Sequence, residues 1–312
     1  MTTTPALTVI LATDRFDTIR KVVDHLRRQT VRHLIELIIL APDRATLELD
    51  PAAVDGFAAV QVLEVGSVER FAPARAAGVR AASAPVVVIG ETHTYPHPDW
   101  AEALIAAHTG PWGLVAPGFG NANPEGALSW AIFLLDYGRW IAGQPAFETD
   151  LGPIHNGAYK RDVLLELGPR LETALAHGDE LTLHFHSRGH RSYFEPAARI
   201  DHLNVVRAVP WLRERFLGGR LIGAQRSTRW SWPRRLLYAA AAPLIPVVIL
   251  RRLWPGIARA RRVHRLPPAT LPAIMAGAAV AAVGEAVGYL GGVNRGAELE
   301  MNEYELHKVR YA

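Results

Sequence analysis

Residues Arg75 to Trp100, RAAGVRAASAPVVVIGETHTYPHPDW, decide how this chain is read. Within them Pro85 to Gly90 is an unbroken apolar run, which predicts a strand buried on both faces, as in a parallel sheet. The run ends on Glu91-Thr92-His93, so a carboxylate and an imidazole stand where the strand reaches the edge of the sheet. Pro98 then opens a helix through Trp100, Leu104 and Ile105, since proline is tolerated in a first helical turn. A carboxylate and a histidine two residues apart say little as a bare pattern. Their position says more, because open parallel sheets gather ligands beyond the carboxyl ends of their strands.

The flanking sequence supports such a sheet. Leu7 to Ala12 predicts a buried strand, and Thr13-Asp14 a loop before a helix marked by Ile19, Val22, Val23 and Leu26 at helical spacing. Asp14 and Asp17 form a capping arrangement at its start. Leu34 to Ala41 and Val60 to Val65 predict two further strands. The alternation predicts βαβ units, hence an α/β fold with a mostly parallel central sheet flanked by helices. The loops after Ala12, Ala41 and Gly90 are where a ligand is expected. Pro124 to Gly143 predicts an aromatic-rich helix, lying across the acceptor side or packed into a core.

The chain has 312 residues and no cysteine, which excludes disulfides and thiolate metal sites and leaves carboxylate, imidazole or substrate oxygens to hold any metal. Asp14 follows the first apolar run at once, unlike the longer core of a secretory signal, so a cytosolic setting is expected. Net charge is +4, yet Arg226 to Arg265 contains ten Arg with no acidic residue or Lys, and removing these ten leaves the rest at −6. Basic charge interleaved with apolar runs reads as contact with an anionic membrane surface. Nucleic acid is not an expected partner, because no recognition module accompanies the charge.

Leu236 to Leu250 has 15 residues and two prolines, short of the roughly 20 that a straight span needs. Arg234-Arg235 and Arg251-Arg252 flank it equally, whereas a spanning helix carries its arginine excess on one side, so a re-entrant or interfacial element is expected. Leu271 to Gly292 is long enough to span but contains Glu285 together with Gly277, Gly284, Gly288, Gly291 and Gly292, which allow close helix packing. An apolar helical hairpin dipping into one leaflet suits both runs. Two buried helices of a soluble domain are the other reading.

Glu91-Thr92-His93, with Pro96 and Pro98-Asp99-Trp100 behind it, resembles the family 2 glycosyltransferases of the GT-A (Rossmann-like) fold. In that family a strand ends in an Asp-x-Asp element that grips a divalent metal and the sugar diphosphate. The resemblance implies that Glu91 and His93 take the two aspartate positions and hold Mn2+ or Mg2+, the imidazole favouring manganese. It continues in order along the chain. Asn156-Gly157-Ala158 and Tyr159-Lys160-Arg161 look like the small-residue turn beside the donor, where Lys160 or Arg161 could add charge. His177-Gly178-Asp179-Glu180-Leu181 stands where the family carries its Glu-Asp catalytic element, and Tyr193 to His202 looks like the last strand, whose trailing histidine often completes the metal site.

These matches imply Asp179 as the base that takes the acceptor's proton. Glu180 is its rival, since aligning Leu181 with the family's leucine puts Gly178 at the base position, and a plain helix-capping role for Asp179 also stays open. His202 joins Glu91 and His93 at the metal. Thr13, Asp14, Asp43, Arg75, Asn156 and Gly157 form the implied donor set. His184 and His186, two apart on a helix, face different ways and receive no role. Two features depart from the family: Ala41-Pro42 replaces paired aspartates, and Gln225 to Trp230 is one residue longer than the Gln-x-x-Arg-Trp element, which removes support for processive synthesis.

The resemblance thus implies an inverting, hexosyltransferase-like transfer from a nucleotide-sugar donor to a hydroxyl on a lipid-linked, glycan or small-molecule acceptor. Residues 1–230 would form the GT-A catalytic domain, and 231–312 a membrane-associated region like the C-terminal hairpin of some bacterial members. The expected place is the cytoplasmic face of the cell membrane, in cell-envelope chemistry. Two other readings stay open: a nucleotidyltransferase of this fold, although no Gly-rich phosphate loop is present near the N-terminus, and a non-catalytic GT-A-like nucleotide-binding or scaffold protein at the membrane.

Overall fold

The computed structural model describes residues 4–176 and 178–312, and the side chains of all of these except 178 and 179. The chain forms two compact units, Met1–Gly120 with Trp140–His202, and Asn121–Arg139 with Leu203–Ala312.

The first unit is built on a sheet of nine strands among the described residues. These are β1 (Leu7–Ala12), β2 (Ile35–Ala41), β3 (Ala59–Glu64), β4 (Val86–Ile89), β5 (Thr94–Pro96), β6 (Trp112–Asn121), β7 (Phe147–Thr149), β8 (Ala158–Lys160) and β9 (Arg191–His202). Their order is β3-β2-β1-β4-β8-β6-β9-β5, with β7 added on β9. β1 lies parallel between β2 and β4, and β3 continues the parallel half. Beyond β4 the pairings β4/β8, β8/β6, β9/β5 and β9/β7 are antiparallel. Every residue of β1, β2 and β4 is buried, as their unbroken Val, Ile and Leu runs require.

Helices α1 (Phe16–Arg27) and α2 (Phe71–Ala81) connect the parallel strands, α1 through an apolar stripe of Phe16, Ile19, Val22, Val23 and Leu26. Gly78 lets α2 close onto the sheet, where a Cβ would press into the side chains of Ile10 and Leu40. The start of α1 differs from the capping expected of Asp14 and Asp17. The helix begins at Phe16 with no side-chain cap on Arg15. The loop is closed one residue earlier instead, where the Asp14 carboxylate accepts from the Arg15 N–H at 2.9 Å and the Thr18 hydroxyl at 2.8 Å.

One buried charge organises the opposite, amino-terminal end of the parallel half. Glu36 of β2 is 1% exposed and accepts from the Thr8 hydroxyl of β1, the Gln61 amide of β3 and both the N–H and hydroxyl of Ser83 before β4. A carboxylate is tolerated there because each oxygen has donors.

In the first unit, helix α3 (Trp100–Ala107) follows β5 and buries Trp100, Ala101 and Leu104. The second unit is helical: α4 (Ala127–Tyr137) together with the helices after β9. The first unit's helix α5 (Gly178–Ser187) precedes β9, and α6 (Ala208–Arg226), α7 (Trp232–Ala241), α8 (Ile245–Val263), α9 (Thr270–Gly291) and α10 (Arg295–Leu306) follow it. Helices α6 and α9 meet backbone to backbone. A Cβ on Gly219 or Gly223 would strike the carbonyl oxygens of Ala281 and Glu285, and one on Gly284 or Gly288 those of Phe216 and Arg220. This reciprocal small-xxx-small contact is the close packing that glycine permits. A Cβ on Gly277 would strike the Trp211 ring, whereas one on Gly291 or Gly292 would meet nothing within 4 Å, so three of the five glycines serve packing. Glu285 is buried in this apolar helix because Arg226 reaches it at 3.0 Å and the Tyr289 hydroxyl at 2.7 Å.

The first apolar run is longer than its sequence boundaries implied. Apart from a single 3-10 turn at Ala242–Leu244, helix continues through Arg251-Arg252 to Val263, giving a stretch of 32 residues at Trp232–Val263. Pro243 sits in that turn and Pro246 in the first turn of α8, places where proline costs little. This stretch and Thr270–Gly291 are long and apolar enough, by length and composition, to cross a membrane. Trp232, Leu236, Leu237, Leu244, Val247 and Trp254 are exposed along the first.

Candidate active site

The parallel pairing of β4 with β1 continues to Gly90, whose N–H donates to the Ile10 carbonyl at 2.9 Å, and delivers Glu91 to the carboxyl edge of the sheet. Three residues later β5 pairs antiparallel with β9, placing Thr94 opposite His202. That register brings His93, beside Thr94, against the last residue of β9. The Nε2 atoms of His93 and His202 are 3.1 Å apart, and Glu91 Oε1 lies 3.9 Å from His93 Nε2. The three offer one ligand atom each within 4.8 Å of one another, and all three residues are buried.

Two imidazole nitrogens and a carboxylate oxygen converging in a buried space fit a first-row divalent cation such as Mn2+. Burial pushes the Glu91 carboxyl up, but the neighbouring His93, His155 and His202 rings outweigh this and hold it well below the usual carboxylate range.

The carboxylate is itself held. Asn156 Nδ2 donates to Glu91 Oε2 at 2.7 Å, and His155 Nδ1 lies 2.8 Å from Glu91 Oε1. Asn156 adopts φ +61°, a left-handed conformation that Asn tolerates better than most residues. It is locked there by its N–H to the Ile89 carbonyl and by Thr94 Oγ1 donating to its Oδ1. At Gly157 a Cβ would collide with the Pro153 carbonyl oxygen, so this turn needs glycine for space. Arg75, buried on α2 over the Phe71 ring, places Nη1 2.9 Å from His155 Nε2.

The sequence-derived residues therefore divide. Glu91, His93, His202 and Asn156 come together, and Arg75 joins them through His155. Thr13 and Asp14 follow β1, at the same sheet edge as Glu91, with the Thr13 hydroxyl donating to the Arg15 carbonyl at 2.6 Å. Asp43 caps the short helix Arg44–Leu47 through the Thr46 N–H at 2.7 Å and the Thr46 hydroxyl. Those hydrogen bonds hold its carboxyl below the ordinary range. Glu180 lies on α5 with Arg170 at 4.0 Å. Asp179 begins the same helix, and its side chain lies outside the described residues, as does His177. Lys160 and Arg161 do not add charge at this edge. β8 runs antiparallel to β4, so Lys160 pairs with Val86 at the far end of the strand. His184 and His186 hydrogen-bond the Val163 carbonyl and the Ser192 hydroxyl. His155 was not singled out from the sequence. Its one signal was its place directly before Asn156-Gly157.

No protein-family model matches this chain, and no curated protein matches it. Among solved structures, the chain is similar to a mannosyltransferase from Pyrobaculum calidifontis solved with GDP-Man and Mn2+, at 21% identity and a TM-score of 0.54, over 91% of this chain and 88% of the other. The chain has a GT-A-like fold. Its central sheet is flanked by helices, and a pair of long apolar helices lies toward the C-terminus. It is also similar to GalNAc-T7 solved with UDP, GalNAc and Mn2+ (16% identity, TM-score 0.48, 64% of this chain) and to S. aureus TarS 1-349 (14% identity, TM-score 0.47, 70% of this chain). The match covers 44% of the former's length and 64% of the latter's.

Proposed function

We propose that this chain transfers a sugar from a nucleotide-sugar donor to a hydroxyl acceptor near a membrane surface, as an inverting enzyme akin to the family 2 glycosyltransferases. The observation that carries the proposal is the convergence of Glu91, His93 and His202 at the carboxyl edge of a GT-A-like sheet. A mannosyltransferase of this fold solved with GDP-Man and Mn2+ is consistent with it.

Glu91, His93 and His202 would hold the divalent metal, which when bound neutralises the charge of a departing nucleoside diphosphate. Asn156 and His155 keep the Glu91 carboxylate turned toward the two imidazoles. Thr13, Asp14, Arg75 and Gly157 would line the donor's side. Asp43, which already caps a helix, would contribute through its position after β2, and Glu180 would stand beside the base. The acceptor oxygen would attack the anomeric carbon as the bond from that carbon to the diphosphate oxygen breaks, with the hydroxyl proton passing to Asp179. Residues 231–312, with their exposed apolar faces and clustered arginines, would rest on the anionic cytoplasmic leaflet and bring this catalytic region, residues 1–230, to its acceptor. Arginines in the middle of the 32-residue stretch favour lying in the interface over crossing it.

The test is a transfer and donor-hydrolysis assay with a panel of nucleotide sugars in Mn2+ or chelator. Turnover with one donor, lost in chelator and in both His202→Ala and Asp179→Asn, is expected. Turnover that survives chelation and both substitutions would overturn the proposal, as would the absence of donor binding across the panel.

A further inference from the structure

We propose that His155 is a positioning residue: its ring accepts from Arg75 at Nε2 and donates from Nδ1, and so sets the Glu91 carboxylate for metal binding. This rests on the metal-site reading above and deepens it.

The geometry determines the tautomer. A guanidinium has only donors. Arg75 Nη1 lies 2.9 Å from His155 Nε2, so that nitrogen accepts and carries no proton. The ring proton is then on Nδ1, 2.8 Å from Glu91 Oε1, and points at the carboxylate. The opposite tautomer would set N–H against N–H at Arg75 and turn a lone pair on the Glu91 carboxylate.

With Asn156 donating to Oε2, each oxygen of Glu91 is tied by one donor from the segment 155–156. These two donors hold the carboxylate from one side, and His93 and His202 lie within ligand reach of it. Without the Nδ1 donor, Oε1 loses its tie to residue 155, and the orientation of the carboxylate is less fixed. Partners of this outer kind typically alter metal affinity by about 10–100-fold.

Two amide replacements separate the two ends of the ring. Asparagine places its amide close to the Nδ1 position and can still donate to Glu91. Glutamine places its amide close to the Nε2 position and can still accept from Arg75, but has nothing to give Glu91. Mn2+ binding to the full-length protein would be followed by the electron paramagnetic resonance signal of free Mn2+, with no donor sugar present. Circular dichroism would verify that each variant is folded. The expected result is a loss of about 10–100-fold in Mn2+ affinity for His155→Gln and His155→Ala, and of less than about fivefold for His155→Asn. Equal affinity for the Asn and Gln variants, whether both near wild type or both weak, would overturn the positioning role. A wild-type protein that binds no Mn2+ would instead overturn the metal site itself, a distinct outcome.

Discussion

Replacing Glu36 tests whether a buried carboxylate at the amino end of the sheet holds the parallel strands in register beneath the site. Its Oε2 accepts from Thr8 Oγ1 at 2.5 Å and the Ser83 N–H at 2.8 Å, and its Oε1 from Gln61 Nε2 at 2.9 Å and Ser83 Oγ at 2.8 Å. In Glu36→Gln the amide oxygen can keep Ser83 N–H and Thr8, while the new NH2 faces Ser83 Oγ and Gln61, both of which can turn to accept. The loss is then mainly the charge assistance, about 1 kcal/mol. In Glu36→Ala the Ser83 N–H cannot turn and the Thr8 hydroxyl is stranded in the interior, and buried unpaired donors cost about 1–3 kcal/mol each, giving roughly 3–4 kcal/mol. Burial raises the Glu36 carboxyl, but the hydrogen bonds from Ser83, Thr8 and Gln61 outweigh it and leave it below the ordinary value of 4.5. A depressed folded pKa contributes stability that is fully present above the unfolded value and is lost as pH falls through the folded one. The gap between wild type and Glu36→Gln should therefore be open at pH 7.5 and close progressively below about pH 4.5. Urea unfolding of the full chain in mild detergent, followed by circular dichroism across this range, measures it. A gap that persists unchanged to pH 3, or a cost below about 1 kcal/mol for Glu36→Ala, would refute the reasoning.

Gly223→Leu forces a side chain into the Glu285 carbonyl across the α6–α9 contact, so a loss of more than about 3 kcal/mol or failure to fold is expected. Gly291→Leu, where an added Cβ would meet nothing within 4 Å, should cost under about 1 kcal/mol in the same unfolding assay. Replacing the exposed Arg251, Arg261 and Arg262 with glutamine removes charge worth about 1 kcal/mol each near an anionic surface. Sedimentation with anionic vesicles at low salt should then weaken by roughly a hundredfold, with little change on zwitterionic vesicles. Equal sedimentation of variant and wild type would remove the arginines from membrane attachment.

The parallel half of the sheet was legible because its strands are unbroken apolar runs bounded by turn residues. Leu7–Ala12 is a strand with those limits, and Ile35–Ala41 begins one residue later than its apolar run. Direction was less legible. A three-residue strand such as Ala158–Lys160 has too few side chains to show which way it runs, and its antiparallel pairing carries Lys160 and Arg161 away from the edge where basic charge was expected. Hydropathy also misplaces helix ends when charged residues follow an apolar run. Arginine is a good helix former, so the helix continued past Arg251-Arg252. The partner of the glycine-rich α9 was hidden for a related reason: Gly219 and Gly223 lie in a segment read as the end of the catalytic domain, and a G-x-x-x-G pair acquires meaning only when a second helix presents one opposite it.

At the site, the residues that come together are those whose positions follow from strand ends. Glu91 and His93 follow β4, His202 ends β9, and the register of β5 on β9 joins them. Asp43 shows the limit of residue type alone, since an acid after a strand can face a ligand or cap the next helix, and here it caps. His155 shows a different limit. Consecutive side chains on an extended chain point to opposite faces, so recognising Asn156 as a site residue argues against its neighbour. The left-handed turn at Asn156, φ +61°, breaks that rule and lets residues 155 and 156 both reach Glu91. The same turn requires the space that only Gly157 leaves beside the Pro153 carbonyl. His-Asn-Gly is therefore one device in which glycine allows the turn, asparagine adopts it, and the histidine it brings in holds the Glu91 carboxylate.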